Sequence, residues 1–82
     1  MAERRARITE TFGEAQLTTV VELLTLLELA WHDCYSELTP SEELIDDIFL
    51  LSGGELTGLI RAVHLAVTDW RDVIVAADAL RR

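Results

Sequence analysis

His32 and His64 are the side chains here best suited to hold a metal or carry a proton near neutral pH. Glu28 stands four residues before His32, and Asp72 lies eight after His64, so on helices each pair shares a face. Two such faces meeting would gather Glu28, His32, His64 and Asp72 as a carboxylate–imidazole metal site. The spacing argues against that outcome. Helical bundles that hold paired metal ions present Glu-x-x-His, and this sequence has no such pair. Hydrogen-bonded boundary histidines and surface ion pairs account for the four residues, and no cofactor is expected.

The string His32-Asp33-Cys34 has the residue types of a nucleophilic site, but consecutive helical residues point about 100° apart and cannot converge on one substrate. Cys34 falls on the apolar seam of its helix, where it is expected to be buried, and it has no arginine near it in sequence to favour a thiolate. Ser36, Ser41 and Ser52 all stand near expected helix ends, where capping explains them. Ser52-Gly53-Gly54-Glu55 lacks the strand and lysine of a phosphate loop. The sequence therefore predicts no catalytic residue, and the chain reads as a non-enzyme.

The helices that would position these groups are written in the apolar spacing. Leu17, Val20, Leu24, Leu27, Trp31, Cys34 and Leu38 recur at steps of three and four, forming one seam. Leu23, Leu26 and Ala30 make a second stripe beside it. A matching seam runs through Leu56, Leu59, Val63, Ala66, Trp70, Val73, Ala77 and Leu80. Between them Leu44, Ile45, Ile48, Phe49 and Leu51 form the apolar face of a shorter helix, closed by Gly53-Gly54. Capping boxes are expected at Thr11–Glu14, Thr39–Glu42 and Ser52–Glu55, with Pro40 at the first position of the middle helix. These signals predict helices over 12–37, 40–52 and 54–80. Gly58 is expected to mark a close backbone approach.

The expected fold is thus all-α: a small three-helix domain over 9–82, with two long helices and a short middle one, preceded by a flexible Arg-rich arm over 1–8. Both tryptophans are expected in the core. The short middle helix leaves part of each long seam uncovered, so a homodimer or higher homo-oligomer is expected to complete the bundle. The interface would use Leu17, Val20, Leu24, Leu27, Trp31, Leu59, Val63, Trp70, Val73 and Ala77.

Charge bounds the partners. The chain of 82 residues carries a formal charge of −8. Its seven basic residues are all arginine, at positions 4, 5, 7, 61, 71, 81 and 82. A nucleic-acid surface needs several cations on one face, which only the Arg4–Arg7 arm approaches, and so a nucleic-acid role is not expected. Glu42, Glu43, Asp46 and Asp47 form an acidic surface able to receive an arginine-rich protein partner or the arm of a neighbouring copy. No stretch is apolar enough for a membrane span, no secretory signal is recognised, and the single cysteine fits a reducing compartment, so a cytoplasmic location is expected.

Leu17-Thr-Thr-Val-Val-Glu-Leu followed by Pro40-Ser-Glu-Glu superficially resembles the second helix and following loop of acyl and peptidyl carrier proteins. That family attaches its phosphopantetheine arm to the serine of Asp-Ser-Leu, and Ala15-Gln16-Leu17 stands in its place. The family's chemistry is thereby excluded. What remains is a non-catalytic helical interaction protein, an adaptor, regulatory or scaffold subunit working through self-association and a partner surface. The alternative is a small metal- or ligand-binding helical bundle, with enzymatic activity as one form of it.

Overall fold

Residues 2–7 are Ala, Glu and Arg, all strong helix formers, and Ile8 and Phe12 follow one turn apart on a single face. In the computed structural model, which describes residues 2–37 and 39–82, this segment is helix α1 (Ala2–Phe12) rather than a loose arm. Ile8 is fully buried, and the Phe12 ring meets the Phe49 ring edge-on at 5.5 Å. The three-helix expectation is therefore corrected. The described residues form four helices: α1, then α2 (Leu17–Tyr35) entered through a 3-10 turn at Glu14–Gln16, α3 (Glu42–Ser52) and α4 (Leu56–Arg81). Only two large apolar residues, Ile8 and Phe12, signal α1, and its arginines read as solvated until their acidic partners on α2 and α3 are in place.

Helix ends are set differently from the expected capping boxes. Thr11 lies inside α1, which stops at Gly13, whose φ of 88° only glycine adopts freely and whose N–H donates to the Thr9 carbonyl. Ser41, not Thr39, caps α3: its Oγ accepts from the Leu44 N–H at 3.1 Å, so Pro40 precedes the cap instead of following it. Ser52 is buried at the end of α3, where its hydroxyl donates to the Phe49 carbonyl and accepts from the Gly54 N–H. It does not cap α4, whose N-cap is Glu55. Gly53 closes α3 in the left-handed conformation, as its position predicts. Ser36 closes α2 in the same conformation at φ 56°, unusual for a residue with a side chain.

One core cluster joins all four helices through Ile8, Val20, Leu24, Leu27, Trp31, Leu44, Ile45, Ile48, Phe49, Leu59, Ala62, Val63, Ala66 and Val73. The tightest packing is between α3 and α4, not between the two long helices. Gly58 makes this possible, since a Cβ there would collide with the Ser52 carbonyl. The core face of α2 runs from Trp31 to the half-buried Tyr35, leaving Cys34 exposed instead of buried. Leu38, the last expected seam position, lies outside the described residues.

Helix α4 is two helices joined across a kink. Asp69 has extended backbone (φ −160°, ψ 101°), and its Oδ1 accepts from the Arg71 N–H at 3.1 Å, which makes it the N-cap of the second half. The break frees acceptors at the end of the first half. Tyr35 Oη lies 2.9 Å from the Ala66 carbonyl oxygen and 3.0 Å from that of Val67, so α2 satisfies the backbone α4 leaves open. Trp70 directly follows the break and is 38% exposed, a correction to its expected place in the core. Leu80, at the end of the same seam, is also exposed.

Candidate functional site

The four possible metal ligands do not converge. Glu28 is half-buried and ion-paired to Arg4 at 3.6 Å, His32 is exposed with Nδ1 3.7 Å from Asp33, and His64 and Asp72 are exposed on α4. Among the described residues no three His, Cys, Asp or Glu side chains are grouped as a metal site. Cys34 is exposed on α2 and not on its core face.

The expected interface residues lie for the most part inside the chain. Val20, Leu24, Leu27, Trp31, Leu59, Val63, Val73 and Ala77 are buried against neighbouring helices, Leu17 is half-buried, and Trp70 alone of the set is exposed. The α2 seam is covered in part by α1, and the α4 seam chiefly by α3. Apolar surface left to solvent is elsewhere: on α2 Leu26 and Leu29 are 62% and 63% exposed, with Leu23 and Ala30 half-buried beside them, and on α4 Ile60, Val75 and Leu80 are exposed. No helix among the described residues is long and apolar enough to cross a membrane.

The acidic start of α3 divides between two faces, because residues 42 and 46 share one side of the helix and 43 and 47 the next. The first pair is taken within the chain. Arg4 Nη2 donates to Glu42 Oε1 at 3.0 Å, and Arg7 pairs with Asp46 while its guanidinium lies 4.7 Å from the Phe49 ring centre. The Arg-rich segment thus meets the acidic surface of its own chain. The second pair faces a cleft of about 420 Å³ lined by Trp31, Glu37, Ser41, Glu43, Leu44, Asp47, Trp70 and Ile74. Asp47 is 8% exposed, and its Oδ1 is ion-paired with Arg81 Nη2 at 2.7 Å, which ties the end of α4 to α3. Glu37 and Glu43 have no ion-pair partner among the described residues.

Burial gives this cleft its chemistry. Trp31 is 4% exposed and forms an inner wall, and its Nε1–H is a buried donor without an acceptor. Trp70 and Ile74, delivered by the second half of α4, complete the apolar lining that the two free carboxylates border. Aromatic faces next to carboxylates attract organic cations and repel anions. The sequence placed Trp31 and Trp70 together on the apolar seams and Glu43 and Asp47 together on an acidic partner surface. The 100° step between the two acid pairs of α3 shows that Glu43 and Asp47 face away from Glu42 and Asp46, but not that they meet the tryptophans of two other helices. Beyond the cleft, the Asp69 carboxyl is held below its ordinary pKa by the hydrogen bonds from the Arg71 side chain and backbone, and Arg71 is raised in turn by Asp69.

No family model matches this chain, and no curated protein or solved structure is significantly similar to it.

Proposed function

We propose that this chain is a non-catalytic interaction protein, acting through self-association and through a surface for a protein partner. The observation that carries this reading is on α2. Its core face is buried, yet Leu26 and Leu29 project from the opposite side at 62% and 63% exposure. A helix apolar on more than one side calls for cover on more than one side, and the second copy of a symmetric dimer supplies it without any new sequence. The self-association surface is thus assigned to this outer face, not to the buried seams. A reducing, cytoplasmic setting fits the one unpaired, exposed cysteine.

The test is the native mass of the protein across a dilution series by light scattering, with the Leu26→Glu/Leu29→Glu variant alongside. The expected result is a dimer or larger species for the wild type and a folded monomer for the variant. A wild-type monomer at micromolar concentration would overturn self-association.

A further inference from the structure

The cleft beside α3 can be assigned a ligand. Its aromatic walls are Trp31 and Trp70, Leu44 lowers the local dielectric, and Glu37 and Glu43 leave two charges on the rim unanswered. An indole face holds a cation most strongly where water is excluded, and carboxylates beside an apolar wall focus negative potential. Both point to an organic cation. A planar guanidinium fits better than an ammonium because it stacks on indole while forking toward a carboxylate.

The molecule already uses this pairing. Arg7 lies over the Phe49 ring while pairing with Asp46, and Arg81 binds Asp47 at the side of the cleft. A volume of about 420 Å³ falls in the range of ligand pockets and leaves room for a whole arginine side chain. A chain of charge −8 also steers basic partners toward itself. We infer that this cleft receives an arginine side chain of a partner protein, seated against Trp70 over the Trp31 wall with its charge answered by Glu37 and Glu43.

Trp31 and Trp70 are the two tryptophans of the chain, so intrinsic fluorescence reads the cleft directly. The probe is acetyl-Gly-Arg-Gly-amide, titrated into the full chain beside its lysine and citrulline counterparts. The arginine peptide is expected to give a saturable change with a dissociation constant on the order of millimolar, and citrulline none. Glu37→Gln/Glu43→Gln is expected to weaken binding about fivefold or more, and added salt to weaken it as well. Trp70→Ala is expected to abolish saturation as followed through Trp31, with circular dichroism confirming that each variant remains helical. No saturable response to the arginine peptide at tens of millimolar, an equal response to citrulline or lysine, or indifference to the Glu37→Gln/Glu43→Gln change would each overturn the assignment. Neither Leu26 nor Leu29 lines the cleft, so a monomeric wild type would leave this test intact.

Discussion

Gly58, in the first turn of α4, is a glycine whose value lies in what it leaves out. Alanine there would gain up to about 1 kcal/mol in helix propensity, but its methyl would enter the space of the Ser52 carbonyl, a backbone atom that cannot rotate away. Gly58→Ala is therefore expected to destabilise the protein by about 1–3 kcal/mol in urea unfolding, the opposite of the propensity forecast. A net gain in stability would show that α3 and α4 are not in such close contact. Tyr35 makes a similar point with a polar atom. Its single hydroxyl proton is shared between two carbonyls beside the break in α4, so Tyr35→Phe is expected to cost about 1–2 kcal/mol while keeping the ring packed against Trp31 at 4.5 Å.

At the scale of the element, the informative feature is that α4 is capped in its middle. Asp69 begins the second half and Arg71 holds its carboxyl in the charged form. A carboxyl whose folded pKa is depressed stabilises the fold above its unfolded pKa and loses that contribution as pH falls through the folded value. The second half of α4 is accordingly expected to loosen on acidification below the ordinary carboxylate range, and Asp69→Asn, which keeps the cap without the charge, to flatten this part of the pH dependence. Circular dichroism melts from neutral to acidic pH compare the two. Equal slopes for wild type and variant would remove Asp69 from the account. This carboxylate is only partly buried, with 36% of its side-chain surface accessible, which keeps the effect small.

For the whole molecule, the decisive element is α1. It closes the core that the sequence seemed to leave for a partner, and the Cα radius of gyration of 12.0 Å equals the roughly 12 Å expected of a self-contained chain this long. Ile8 is the residue through which α1 enters the core. Ile8→Ala is expected to cost about 2–4 kcal/mol in chemical denaturation, and removal of the Arg7 charge much less, because exposed ion pairs contribute little. Equal costs for the two would mean that α1 is held by charge and not by burial. The proposed self-association would add cover to Leu26 and Leu29 without completing the fold.

The all-helical class, the core faces of α2 and α3 and the glycine turn at Gly53 were legible in the sequence, because apolar spacing and left-handed glycine are local properties. Gly58 was legible for the same reason, as a costly residue in an otherwise good helix. Helix α1 was not, because two apolar residues carry its burial and its arginines find their partners only after α2 and α3 have folded beside it. The exposure of Cys34 and Trp70 was hidden too. A repeat of three and four does not say where the seam swings to Tyr35 or where Asp69 interrupts α4. Nor could spacing reveal that Trp31, Trp70, Glu37 and Glu43 border one cleft, since they come from two distant helices, a loop and the start of α3. Sequence by itself determined which residues must be covered, through periodicity and burial. Tertiary structure alone decided what covers them and which charges remain unpaired, because both depend on contacts between residues far apart in the chain.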